Sequence, residues 1–155
     1  MKLLEFLNAD HITLELAARD KRSAIKEMVD LICVNAPAID REIELASVLK
    51  REEAISTAIG DGIAIPHAKC ERVSKAMVAF GRAPGGIEFS APDGKPVDLI
   101  FLIISPQRDA GMQLKILALL ARLFKDKNFT QSLREAKNVQ DVLEVVGRFD
   151  EATRL

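Results

Sequence analysis

One stretch of the chain concentrates residues that can do chemistry: residues 51–69, which read REEAISTAIGDGIAIPHAK. Two glycines, the second of them Gly62, give the backbone freedom to turn and to approach a ligand closely. Pro66 restrains the chain immediately before His67, which indicates that the position of this imidazole matters. Consecutive N–H groups between Ser56 and Gly62 could surround an anion. The stretch therefore predicts a loop that holds a phosphate beside a nucleophilic histidine.

The same residues also have purely structural interpretations. His67 could be a loop histidine that bonds its own backbone. Arg51 could be a solvated cation at a helix end, weakly paired with a neighbouring glutamate. Ser56 and Thr57 could simply cap a turn or a helix. From residue types and spacing alone, both interpretations stay open.

Two other kinds of site find little support in the sequence. His67 and Cys70 have an H-x-x-C spacing, but the sequence offers no second pair of ligands, so we predict no metal site. A hydrolase that used His67 as a general base would need a serine or cysteine nucleophile, and Cys70 offers this only weakly. His11 stands at the start of a predicted strand and is expected on the surface.

Regular elements must position this stretch, and three strands are predicted from the apolar pattern. Residues 97–104 are almost all apolar, as expected for a central strand that is covered on both faces. Alternation at residues 11–16 and an apolar run at 76–83 predict two more strands. Residues 63–65 predict a short extended segment, and residues 84–86 predict a turn.

Helices are predicted from apolar residues at helical spacing and from the residues that cap them. Asp20, Asp40 and Asn138 each precede such a pattern. Further helices are predicted at residues 112–124 and 129–136. The order of elements predicts an α/β fold, with a mixed β-sheet sandwiched by helices in a single compact domain.

Composition and charge exclude several classes of protein. The chain has 155 residues, 48% hydrophobic and 29% charged, so it can fold as one domain, predicted to span residues 1–155. Its net charge of -1 argues against a nucleic-acid binder that relies on a positive field. Cys33 and Cys70 are too few for a disulfide framework, and no apolar run reaches the ~18 residues of a membrane span. We expect a cytoplasmic protein without direct membrane insertion.

The chemical stretch resembles a known active-site signature. STAIGDGIAIPHAK, preceded by RE at residues 51 and 52, is similar to that of the mannitol/fructose-type enzyme IIA domains. These domains belong to the bacterial phosphoenolpyruvate-dependent sugar phosphotransferase system. The opening LLEFLNADHITLELAARDKRSAIKEMVDLI resembles the first strand and helix of that family, and QLKILALLARLF resembles its later active-site helix. A free-standing domain of this length most resembles the nitrogen-regulatory branch, with the fructose branch close.

The resemblance implies a phosphoryl carrier. A histidine phosphocarrier protein would hand a phosphoryl group to His67, the nucleophile that becomes phosphorylated. In transport systems the group then passes to an enzyme IIB. In the nitrogen-regulatory branch the phosphorylation state is itself the signal, read by target proteins of nitrogen, carbon and potassium regulation. Both reacting groups are side chains, so no cofactor or metal is expected.

The resemblance also assigns roles to other residues. Arg51 matches the stabiliser of the phosphoryl oxygens, and its planar, permanently charged fork suits two of them. Ser56, Thr57 and Gly62 are expected to bind the phosphoryl group through the consecutive N–H groups described above. Gln113 stands where the family commonly has a second histidine, and its amide can donate to a phosphoryl oxygen but supplies no positive charge. A regulator that binds partners without phosphotransfer is the alternative that this departure leaves open.

Overall fold

A mixed β-sheet of six strands lies between two layers of helices in the computed structural model, which describes residues 1–153. The predicted fold class is confirmed. The predicted domain, residues 1–155, includes Arg154 and Leu155, which lie outside the described residues. The strands are β1 (Ile12–Thr13), β2 (Ala58–Gly60), β3 (Ile63–Ala64), β4 (His67–Cys70), β5 (Met77–Ile87) and β6 (Val97–Pro106). The helices are α1 (Lys21–Cys33), α2 (Arg41–Ala54), α3 (Met112–Phe124), α4 (Lys127–Glu135) and α5 (Val139–Ala152).

Strand β6 is the centre of the sheet. It pairs antiparallel with β5 on one side and parallel with both β3 and β4 on the other. The outer strands β1 and β2 complete the order β1-β5-β6-β3-β2. Every residue of β6 from Leu99 to Ile104 is fully buried, which explains why this run is apolar without alternation.

The side chains of β6 alternate between two hydrophobic cores, one on each face of the sheet. One core is formed with α3, α4 and α5, and the other with α1 and α2. The first core receives Leu99, Phe101 and Ile103; the second receives Ile100, Leu102 and Ile104. The central strand therefore fixes both helical layers relative to each other.

The helix starts predicted from capping residues are confirmed. The Asp20 carboxylate accepts a hydrogen bond from Ser23 N at 2.9 Å, and the Asn138 amide oxygen accepts one from Asp141 N at 2.8 Å. Asp40 caps α2 in the same way. Each cap satisfies backbone N–H groups that the first helical turn leaves without a partner.

Two predictions about the strands are wrong. Residues 84–86 do not reverse the chain but continue β5, where Gly86 takes a φ of 77° and the pairing with β6 shifts register. This is how a bulge absorbs turn-forming residues without ending a strand. The strand predicted from residue 11 is shorter than expected, because His11 ends a 3₁₀ turn that begins at the Asn8 cap. That turn buries His11, which was expected on the surface.

Candidate functional site

His67 is the first residue of β4 and not part of a loop as predicted. Ile63 pairs with Leu99 and His67 pairs with Ile103, so β3 and β4 run along β6 in one continuous register. Between them, Ile103 N donates to Pro66 O at 3.0 Å, because Pro66 has no N–H of its own but keeps its carbonyl. The imidazole is therefore anchored to the central strand.

The His67 ring has a defined tautomer. Its Nδ1 lies 2.8 Å from Ile65 O. A carbonyl oxygen only accepts, so Nδ1 carries the proton and Nε2 presents a lone pair. Among residues 1–153, Nε2 of His67 is not one of the fully buried nitrogens without a partner, which for histidine are those of His11 alone. Nε2 of His67 therefore keeps contact with solvent, although the residue is only 8% exposed. The ring nitrogen with an available lone pair is therefore Nε2.

Burial lowers the pKa of His67 below its ordinary value. The hydrogen bond to the Ile65 carbonyl opposes this change, the Arg51 charge adds to it, and the Glu52 carboxylate opposes it again. The net direction is downward, so the imidazole is neutral at pH 7. A neutral imidazole has the lone pair that attack on phosphorus requires.

Arg51 lies in the last turn of α2, half-buried. Its Nη1 donates to Ile55 O at 2.8 Å, which ties the guanidinium to the chain just beyond the helix. Within the described part of the chain it makes no other hydrogen bond, so most of its donors remain available to an anion. After burial, which is the main cause, the Arg51 charge also contributes to lowering the pKa of His67. The two residues that the resemblance paired are therefore electrostatic neighbours.

The hydroxyls of Ser56 and Thr57 are already committed. Ser56 Oγ donates to Phe89 O at 2.6 Å, and Thr57 Oγ1 donates to a carboxylate oxygen of Glu52. A hydroxyl has one proton to donate, so neither group has one left for a phosphoryl oxygen. The two hydroxyls therefore hold the chain between α2 and β2 in place. Phosphoryl binding by Ser56 and Thr57 was expected from backbone N–H groups, and it stays a prediction.

Gly62 lies at the other end of the sheet from His67. Its carbonyl accepts from Asp98 N at 2.9 Å, near the start of β6. A Cβ at Gly62 would lie 2.5 Å from the Asp98 carboxylate, and the φ of this residue is 79°. Close packing against the Asp98–Arg134 ion pair therefore explains the glycine, and this position does not fit the predicted contact with a phosphoryl group on His67.

The same end of the sheet carries a cleft of about 900 Å³, which Gly62 lines together with Lys95, Lys125 and Arg134. Neither His67 nor Arg51 lines it. Size alone would favour this cleft as a site. We place the candidate site at His67 instead, because the predicted nucleophile and a cation that could serve it are there.

Gln113, in the first turn of α3, lies at the His67 end of the sheet. Its Oε1 accepts from Ser105 Oγ at 3.3 Å. Ser105 pairs with Lys69 in the sheet. Both side chains point to the same face as His67, which lies two residues before Lys69. The amide N–H groups of Gln113 have no partner in residues 1–153, so they are available to an anion at this end.

Glu52 is the residue of this site that sequence reasoning missed. It was weighed only as a surface partner of Arg51, yet it is 5% exposed and accepts hydrogen bonds from Thr57 and Lys21. The signal was its spacing: Val48 and Leu49, both buried, place Glu52 on the same stripe of α2. A carboxylate on a buried stripe requires partners, and here it has them.

Residues 1–153 hold no group of three or more His, Cys, Asp or Glu side chains that could bind a metal ion. In the same part of the chain, every helix is too short or too polar to cross a membrane.

Comparisons with known proteins agree with this geometry. Residues 5–148 match the family model described as "Phosphoenolpyruvate-dependent sugar phosphotransferase system, EIIA 2". A fructose-specific EIIA component from Haloferax volcanii is 38% identical over 87% of this chain and 88% of its own length. A fructose-specific EIIABC component from Bacillus subtilis is 32% identical over 97% of this chain, which spans only 24% of that longer protein.

A solved structure also matches. The crystal structure of nitrogen regulatory protein IIA-Ntr from Neisseria meningitidis has a TM-score of 0.85 and 32% identity, covering 92% of this chain and 97% of that one. Sequence and fold thus agree over nearly the whole chain, and the protein belongs to the EIIA type 2 family of the phosphoenolpyruvate-dependent sugar phosphotransferase system.

Proposed function

We propose that this protein is a phosphoryl carrier that accepts a phosphoryl group on Nε2 of His67. The observation that carries the proposal is the ring's hydrogen bond at 2.8 Å from Nδ1 to Ile65 O, which leaves the Nε2 lone pair open beside the Arg51 charge. Family membership supports the same role. A regulator that only binds partners would need neither the fixed tautomer nor the cation.

The transfer exchanges one P–N bond for another. The bond from phosphorus to the donor's imidazole breaks as the bond to Nε2 of His67 forms, and the donor ring leaves with the bonding electron pair. Nδ1 keeps its proton throughout and donates it in a hydrogen bond to the Ile65 carbonyl, which stabilises the positive charge that develops on the His67 ring. Arg51 and the Gln113 amide face the equatorial oxygens, where negative charge accumulates. The amino-terminal end of α3 adds partial positive charge at this end of the sheet.

The donor in this proposal is a histidine phosphocarrier protein, met in the cytoplasm. Two acceptors are consistent with the relatives: an enzyme IIB, which the name of the fused EIIABC relative implies, or a regulatory target, as the name of the IIA-Ntr relative implies. We favour the regulatory role, because that relative has a TM-score of 0.85 over nearly all of both chains. Rapid loss of phosphate to a purified enzyme IIB would favour the transport role instead.

The decisive test is phosphorylation of the purified chain. Incubation with phosphoenolpyruvate, enzyme I and the histidine phosphocarrier protein should produce one phosphate per chain, stable in base and labile in acid. Phosphorus NMR should identify it as phosphohistidine substituted at Nε2, because Nδ1 is occupied. Absence of transfer would reject the carrier function, and substitution at Nδ1 would reject the tautomer.

Gln113 provides a prediction about rate. Replacing it with leucine removes one donor from the phosphoryl oxygens, which should slow phosphorylation about tenfold, the equivalent of about 1.4 kcal/mol. Gln113→His should keep transfer at or above the wild-type rate, because a protonated ring donates a charge-assisted bond. The rate of phosphoryl transfer from the labelled phosphocarrier protein, followed in reactions quenched at successive times, tests both variants.

The matched control is Gln140→Leu, the same change at an exposed position of α5. It should leave the rate unchanged. An equal effect of the two leucine substitutions would show that Gln113 is an ordinary surface residue of its helix.

A further inference from the structure

Glu52 is a buried carboxylate for which the proposed transfer has no direct use. It lies in the last turn of α2 and is 5% exposed. One of its oxygens accepts from Thr57 N at 2.9 Å and from Lys21 Nζ at 3.0 Å, and the other accepts from Thr57 Oγ1. A buried charge is tolerated only with such a set of partners. Two of its three hydrogen bonds therefore converge on one residue, Thr57.

Thr57 is in turn bonded to the residue that orients the His67 ring. Ile65 N donates to Thr57 O at 3.0 Å, and Ile65 O accepts from the His67 ring at 2.8 Å. Ile65 is thus held through its N–H on one side and fixes the imidazole through its carbonyl on the other. The hydrogen bonds form an unbroken series from Glu52 through Thr57 and Ile65 to His67.

We infer that Glu52 is a positioning residue for the nucleophile. Its carboxylate fixes Thr57, Thr57 fixes the Ile65 backbone, and the Ile65 carbonyl selects the His67 tautomer that has its proton on Nδ1. The consequence for transfer rests on the proposed function, whereas the consequence for the tautomer does not. Glu52 touches neither phosphate nor ring in this scheme.

The test variant is Glu52→Gln, which keeps the shape of the side chain but removes its charge and one acceptor. Nitrogen-15 NMR of the labelled full chain distinguishes the two neutral tautomers of His67, because protonated and unprotonated ring nitrogens resonate far apart. We expect wild-type protein to show Nδ1–H alone, and Glu52→Gln to show a mixture of tautomers. Phosphorylation should slow at least tenfold in parallel.

Two control variants separate positioning from stability. Glu53→Gln makes the same charge change at the next residue, which is exposed, and should leave tautomer and rate unchanged. Lys21→Met removes the ion pair but leaves both Thr57 contacts. It should lower the melting temperature without changing the tautomer, which a purely structural role for Glu52 does not predict.

A folded Glu52→Gln protein with the wild-type tautomer would overturn the inference, whatever its transfer rate. If Glu52→Gln does not fold, Glu52→Asp is the test variant, because it keeps the charge but is one methylene too short to reach both Thr57 groups. A wild-type His67 tautomer in that variant would also overturn the inference. A wild-type chain that shows the Nδ1–H tautomer but accepts no phosphate would reject the proposed function and leave this inference standing.

Discussion

Replacing His67 with glutamine should abolish phosphoryl acceptance and leave the chain folded. The substitution removes the Nε2 lone pair that would attack phosphorus. Phosphate incorporation should fall below detection. Glutamine is preferable to alanine because His67 is buried at the start of β4, where a smaller side chain would leave a void. The cost in unfolding free energy should be about 1 kcal/mol, the centre of the range for point substitutions.

His11→Gln is the matched control for this prediction. His11 is the other histidine of the chain, and both of its ring nitrogens are buried without a hydrogen-bond partner in residues 1–153. Burial lowers its pKa, so it is neutral, but the donor's phosphorus has no access to it. This variant should take up phosphate normally. Equal incorporation in wild type and His67→Gln would place the acceptor elsewhere.

Replacing Arg51 with lysine should slow transfer by about 10- to 100-fold, although the charge is kept. A guanidinium can bond Ile55 O and two phosphoryl oxygens at once, and an ammonium group cannot hold that planar arrangement. A lost charge-assisted bond costs about 1.5–3 kcal/mol, and about 1.4 kcal/mol corresponds to a factor of ten in rate. Rates of phosphoryl transfer, measured in quenched reactions at several donor concentrations, would give the decrease.

The control is Arg41→Lys at the opposite end of the same helix, where the side chain is exposed and pairs with Asp30 at 3.5 Å. That variant should transfer at the wild-type rate. Thermal unfolding should differ little among all three proteins, since surface substitutions change the unfolding free energy by about 0.5 kcal/mol or less. A wild-type rate for Arg51→Lys would mean that Arg51 only caps α2.

Helices were predictable because their signals are local. Asp20, Asp40 and Asn138 each cap a helix within one turn, and the residues of α3 match the predicted range 112–124. Strands were harder, because β4 is four residues long and only its pairing with β6 makes it a strand. The bulge in β5 looked like a turn for the same reason: only the partner strand shows whether the chain reverses.

The residues of the candidate site likewise divide into those with local sequence signals and those that only tertiary structure places. The sequence indicates His67 as the nucleophile, but not that its ring is tied to Ile65. Gly62 was grouped with it because a glycine lets the backbone approach a ligand closely and because the N–H groups from Ser56 to Gly62 could surround an anion. In an extended strand, however, five residues span about 16 Å, which places the two at opposite ends of the sheet. Glu52 was overlooked because its residue type suggested solvent, although its spacing from Val48 and Leu49 places it on the buried stripe of α2. Its contacts with Thr57 and Lys21 show how that position is tolerated.

The alternation of β6 between the two cores has a consequence for the motions of the protein. If either helical layer detached, it would expose apolar side chains of β6, the strand against which the other layer also packs. The chain should therefore open as one cooperative unit. Backbone amides of β6 then exchange with solvent only through global unfolding. One of them, Ile103 N–H, is bonded to the carbonyl directly before His67. The proposed acceptor histidine is thus attached to the part of the molecule that fluctuates least, and any adjustment during a productive encounter falls to the half-buried Arg51 and Gln113 side chains and to the incoming protein.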